Sequence, residues 1–157
     1  MFARLLVLAF VVLTLTVVAH SQKRDMASEI KQMDGQWMVE AYFSRDLKDF
    51  DRIVADDFLI TAANGKVLIK TEKRANVARD YTDETTRSQP GYIFAIDPAS
   101  HQVRIFKNTA VSNGFIVEKY TWKNQKIDNR VYFTNTYIRR NGLWNVVASQ
   151  FTNVKAA

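Results

Sequence analysis

Arg130-Val-Tyr-Phe-Thr-Asn-Thr-Tyr-Ile-Arg-Arg-Asn-Gly-Leu-Trp-Asn-Val-Val-Ala-Ser-Gln-Phe-Thr-Asn-Val154 decides the fold. Two β-rich runs flank Asn141-Gly142, a pair whose residues both tolerate positive φ and so favour a tight hairpin. Centring the turn there pairs Arg139 with Trp144. Further down the ladder, Tyr137 faces Val146, Asn135 faces Ala148 and Phe133 faces Gln150. Side chains alternate along a strand, so these residues share one face. Beyond Arg139 beside the turn, that face is apolar and aromatic except for two amides, Asn135 and Gln150, a composition suited to a small-molecule pocket with few polar groups.

Working outward, the amino-terminal segment reads as a leader. Arg4 gives a short positive region, Leu5 to Val18 is apolar apart from Thr14 and Thr16, and Ala19-His20-Ser21 suits cleavage before Gln22. The apolar run falls short of the ~20 residues that span a bilayer. The expectation is therefore a signal peptide over 1–21 and one domain over 22–157, secreted or periplasmic, with no stable membrane anchor after cleavage. The chain has no cysteine, so packing alone must stabilise it. Its 22 basic and 16 acidic residues are interleaved and include no run of five like charges. That argues for a solvated surface and against nucleic acid as a partner. No metal site is expected, since cysteine is absent and only two histidines occur, one of them in the leader. No cofactor is expected either, for the chain has neither a Walker loop nor a GxGxxG element.

Apolar residues at Met26, Ile30, Met33, Trp37 and Ala41 predict a first helix. Leu47, Phe50, Ile53 and Val54 predict a short second one ending at Asp56-Asp57. Phe58 to Ala62 reads as a strand, Asn64-Gly65 as a turn, and Glu72 to Tyr81 as a third helix capped by Thr71. Five extended runs follow: Tyr92 to Ile96, Gln102 to Phe106, Ala110 to Trp122, Val131 to Arg139 and Leu143 to Val154. Helices followed by a meander predict an α+β domain with its helices on one sheet face.

Several of these stretches together resemble a known family. They are Trp37-x-x-x-Ala41-x-x-x-x-Asp46, Asp56-Asp57-Phe58, Asn64-Gly65, Lys70-Thr71-Glu72, Arg130 to Asn135, and Arg140 to Gln150. Their order is similar to that of SnoaL-like proteins, within the nuclear transport factor 2-like superfamily and its domain-of-unknown-function 4440 branch. The resemblance covers Glu29 to Val154. It implies a cone-shaped, cystatin-like fold: a curved antiparallel sheet wrapped around amino-terminal helices and enclosing one pocket. It also implies homodimerisation through the outer sheet face. Ile138, Leu143, Val147 and Phe151 alternate there with Thr134, Thr136 and Ser149, a mixture that suits solvent or self-association. The superfamily includes isomerases, cyclases and dehydratases alongside members without chemistry, so the fold does not specify an activity.

The expected ligand-binding set is Trp37, Ala41, Phe58, Phe133, Asn135, Tyr137, Val146 and Gln150, around a small apolar or amphipathic molecule. The late histidine of enzymatic relatives is replaced by Gln150, whose amide has no proton to exchange near neutral pH. His101 follows the Asp97-Pro98 turn and reads as solvent-exposed. Asp57 and Glu40 remain as candidate bases, with Tyr137 as donor and Tyr120 or Glu118 joining if their strand face points inward. Three readings stay open: a binding domain, an isomerase, cyclase or dehydratase type of enzyme, and a non-catalytic interaction module.

Overall fold

The computed structural model describes residues 25–44, 46–79 and 87–154. The expected leader over 1–21 lies outside the described residues. Within them, no helix is long and apolar enough to cross a membrane.

Helix α1 covers residues 25–44, and its middle is a π-helical turn, Gln36–Glu40. There the Ala41 N–H reaches back to the Gln36 carbonyl, one residue further than an α-helical bond. Ile30, Met33, Trp37, Met38 and Ala41 are buried, as the apolar spacing predicts, and Asp34 is buried with them. Helix α2 (Lys48–Ile53) buries Phe50 and Ile53. Trp37 meets Phe50 and Phe58 edge-on at centroid distances of 6.5 and 5.8 Å. Each such pair adds about 1 kcal/mol to the burial of its rings.

Strand β1 (Val54–Thr61) leads through the Asn64-Gly65 turn into β2 (Val67–Ile69) and then helix α3 (Lys70–Arg79). The second helix thus ends before Val54, and Asp56-Asp57 lie in the strand rather than at a helix end. The remaining strands are β3 (Ile93–Ile96), β4 (Gln102–Phe106), β5 (Thr109–Trp122), β6 (Gln125–Arg140) and β7 (Leu143–Val154). The sheet order is β2-β1-β7-β6-β5-β3, with β4 also on β5. All pairings are antiparallel except β1 with β7. The sheet is therefore mixed, correcting the all-antiparallel expectation. It is α+β, with the amino-terminal helices packed on one face of a curved, unclosed sheet.

Three local irregularities shape the inner face. At the hairpin, Asn141 (φ 52°) and Gly142 (φ 84°) form the turn, and Arg139↔Trp144 and Tyr137↔Val146 pair as expected. Beyond them the ladder slips: Thr136 pairs with Ala148, leaving Val147 as an extra residue on β7. Asn135 therefore faces Ser149, and Phe133 faces Phe151. The inward positions of β7 change from Trp144 and Val146 to Ser149 and Phe151, while Ala148 and Gln150 turn to solvent. The expected outer face loses Phe151 and Ser149 for the same reason.

The second irregularity is in β1, which advances from Val54 to Leu59 while β7 advances only from Val146 to Ala148. The surplus pushes Asp56 and Asp57 outward. The third lies on the sheet edge. β3 ends opposite Ile116, β4 begins opposite Asn113, and residues 97–101 detour between them. Ser100 Oγ accepts from the Phe115 N–H and donates to the Asp97 carbonyl, both at 2.9 Å. Gly114 admits this detour. A Cβ there would stand 3.2 Å from the His101 Cα and 3.2 Å from the Phe133 ring. We expect Gly114→Ala to cost about 1–3 kcal/mol by overpacking, read as a lower urea midpoint. An unchanged midpoint would mean that His101 does not rest on Gly114.

Candidate functional site

A polar cluster is assembled inside the apolar core from four elements. Asp34 comes from α1, where it occupies the same stripe as Ile30 and Trp37. It is fully buried, as are Asn135 and Tyr137 on adjacent inward positions of β6. His101 comes from the edge detour and keeps 8% exposure. Ser149 reaches the cluster through the β7 bulge.

The Asp34 carboxylate faces three of these groups. Oδ1 accepts from Asn135 Nδ2 at 2.7 Å and from the Tyr137 hydroxyl at 2.6 Å, and Oδ2 lies 2.9 Å from His101 Nε2. The proton directions follow from donor chemistry. Trp37 Nε1 can only donate, and it donates to the Tyr137 oxygen at 2.9 Å, so the Tyr137 proton is directed at Asp34. Ser149 Oγ donates to Asn135 Oδ1 at 2.6 Å, which fixes the amide with its NH2 toward Asp34. His101 Nδ1 makes no hydrogen bond among the described residues. An imidazole held by a carboxylate on one nitrogen, with the other available, is the arrangement by which a general base is oriented. The His101 ring also stands edge-on to Phe133 at 5.7 Å.

Burial, and then the neighbouring Asp34 charge and the hydrogen bond to it, push the Tyr137 hydroxyl well above its ordinary value of 10.0. Within the cluster Tyr137 is therefore a neutral donor.

The positions named from sequence divide into two groups. Trp37, Ala41, Phe58, Phe133, Tyr137 and Val146 come together, but at 0 or 1% exposure they build the closed core around Asp34. Gln150 is exposed opposite Thr134, because the bulge exchanges it for Ser149. Asp57 is also exposed. Arg140 binds it bidentately at 3.0 and 2.8 Å, and those hydrogen bonds hold its carboxyl below the usual range. It lines a surface crevice of about 490 Å3 together with Asp56, Lys70 and Arg140, apart from the cluster. Glu40 is exposed on α1. Neither carboxylate is placed to serve the interior.

His101, expected in solvent, is buried because the detour folds over Gly114. Asp34 was not singled out from sequence. Its signal is a lone acid in the apolar stripe Ile30, Met33, Trp37, which a solvated helix face would not produce. Glu118 and Tyr120 share the inward face of β5, and Tyr92 donates to Glu118 at 3.4 Å. Tyr42, Phe94, Tyr120 and Phe151 are only partly buried, in contrast to the sealed core. Tyr42–Phe94 and Tyr92–Tyr120 contacts at 6.1 and 6.2 Å make an aromatic collar at this end. Among the described residues no group of three or more His, Cys, Asp or Glu is placed to hold a metal.

No protein-family model and no curated protein matches the chain. Solved structures do. An NTF2-like protein from Cytophaga hutchinsonii aligns at TM-score 0.60 and 18% identity, over 81% of this chain and 98% of that one. An NTF2-like protein with a cystatin-like fold from Novosphingobium aromaticivorans aligns at 0.65 and 15%, over 90% and 91%. The CaMKII hub of S. rosetta aligns at 0.67 and 11%, over 82% and 96%. At these identities the likeness is one of fold: the chain has the NTF2-like, cystatin-like architecture.

Tyr137→Phe would leave Trp37 Nε1 and Asp34 each short of a partner, at a cost of about 1–3 kcal/mol. It would also change the response to alkali. The native hydroxyl keeps its proton where the unfolded one has lost it, so this contribution is complete below pH 10 and declines as pH rises beyond it. Urea unfolding across this range is expected to show a steeper alkaline decline in the wild type than in Tyr137→Phe. Parallel declines would contradict the assignment.

Proposed function

We propose that this chain is an exported small-molecule-binding domain of the SnoaL-like kind, in the domain-of-unknown-function 4440 branch, with its guest inside the curved sheet. One observation carries the reading. The inward face passes from a sealed polar cluster around Asp34 to partly exposed aromatic residues at Tyr42, Phe94, Tyr120 and Phe151. Apolar walls with a few fixed polar groups suit a small apolar or amphipathic molecule. Export rests on the leader pattern from Arg4 to Ser21. Homodimerisation through the outer sheet face is part of the proposal, supported by half-exposed Leu59 and Ile69 and by Leu143 at 71% exposure.

A second reading, proton-transfer catalysis, is favoured by the 2.9 Å Asp34–His101 contact. In it His101 Nδ1 is the base or acid, oriented by Asp34, and Tyr137 holds the far side of the carboxylate. The isomerase and dehydratase chemistries hosted by similar folds need such a group.

Protein purified from its own host and sprayed under native conditions should carry a species that leaves on denaturation. Bare protein mass in repeated preparations would overturn the binding reading. For the catalytic reading, the released molecule is returned to the protein in D2O. Carbon-bound deuterium should accumulate with the wild type and about 100-fold more slowly with His101→Gln. Equal rates would exclude His101.

A further inference from the structure

Helix α3 carries four basic residues, and the three in its first half, Lys70, Lys73 and Arg74, are treated differently. Lys70 pairs with Asp56 at 2.9 Å, and Arg74 pairs with Asp51 at 2.7 Å. Lys73 points the other way, toward the sheet, and is only 7% exposed. Among the described residues its amine is hydrogen-bonded to the Tyr42 hydroxyl alone, and no carboxylate pairs with it. The amine also stands 5.3 Å from the centroid of the Phe151 ring. It does not cap α1, since it meets a side-chain hydroxyl and no helix carbonyl.

An ammonium has three protons to donate, and removing it from water without a counter-charge is costly. Aromatic faces compensate only in part. Among the described residues, acids pair with Lys70 and Arg74 and none pairs with Lys73. The position of Lys73 within the interior follows from the ladder. Gly114, Phe133 and Phe151 lie side by side on β5, β6 and β7. His101 rests on Gly114 at one end of this row, and Lys73 stands over Phe151 at the other. Two strand spacings, about 10 Å, separate the ends.

We propose that Lys73 is the anion-recognition group of the interior, and that the guest is a small organic monoanion with an aromatic or aliphatic body. This rests on the small-molecule reading and adds the charge and orientation of the guest. The anionic group sits at Lys73 and Tyr42, the body lies along Phe151 and Phe94, and the far end approaches His101.

The test compares 3-phenylpropionate with 3-phenylpropan-1-ol, which share a body and differ in charge, by calorimetric titration of the purified chain. The wild type should bind the anion at least about tenfold more tightly, as one charge-assisted hydrogen bond provides. Lys73→Met should abolish that preference by weakening the anion far more than the alcohol, while Lys73→Arg should keep it. Should Lys73→Met not fold, Lys73→Gln takes its place. Equal binding of both probes by the wild type, or a preference that survives loss of the amine, overturns the role of Lys73 and leaves the small-molecule reading standing. Binding of neither probe overturns both.

Discussion

Asp34 is a carboxylate taken wholly out of water inside a core of aromatic and aliphatic side chains. Such a group costs several kcal/mol to bury, and what offsets this is the set of donors that reaches it. Those donors come from the β3–β4 detour and two inward positions of β6, with β7 attached through Ser149. Each element must arrive at its own place for the charge to be tolerated. Moving any one of them would leave a buried acceptor short. A hydrophobic residue at this position would serve stability as well or better, so the carboxylate specifies an arrangement more than it strengthens the fold.

The devices that bring the donors together are departures from regular structure. A π-turn begins two residues after Asp34 and interrupts the regular helix. The extra residue Val147 reverses the parity of β7, which brings Ser149 beneath Asn135 and sends Gln150 outward. Gly114 leaves room for His101 to pass over the sheet. An unbroken ladder would have put Ala148 and Gln150 on the inner face in place of Ser149 and Phe151 and left the cluster incomplete. Irregularities concentrated around one polar site are characteristic of positions kept for a task other than packing.

How much of this was legible in the sequence follows from the same devices. The Asn141-Gly142 turn was readable because its residues tolerate positive φ, and it correctly set Arg139 against Trp144 and Tyr137 against Val146. The error began one pair later. Val146-Val147-Ala148 is apolar throughout and carries no mark of which residue leaves the ladder, so the slip to Ser149 was invisible. The α1 stripe was clear, and the acid within it could have been read as buried, because Asp34 falls four residues after Ile30 and three before Trp37. His101 had no such signal. Asp97-Pro98 indicates a turn correctly, but whether the turn folds outward or over the sheet depends on Gly114, a non-local partner. Asp57 and Glu40 have apolar neighbours in sequence, yet the β1 surplus turns Asp57 to solvent and Glu40 falls on the exposed side of α1.

The neighbours in structure share the architecture at 11–18% identity in those compared above, too little to carry an activity across. What distinguishes this chain must therefore lie in its interior side chains, and they are polarised. An acceptor held by three groups lies at the sealed end, while an amine that meets no carboxylate among the described residues lies beyond it toward the aromatic collar. The Phe133–Phe151 row separates them and offers no polar group of its own. A guest carrying charge at one end only would meet favourable and unfavourable surroundings in its two orientations, because a negative group turned toward Asp34 would face a carboxylate. Orientation would thus be set before any chemistry, and it would present the uncharged end to His101. Under the small-molecule proposal, the distinction between a binding domain and a catalyst then reduces to whether that end carries a proton that the imidazole can take.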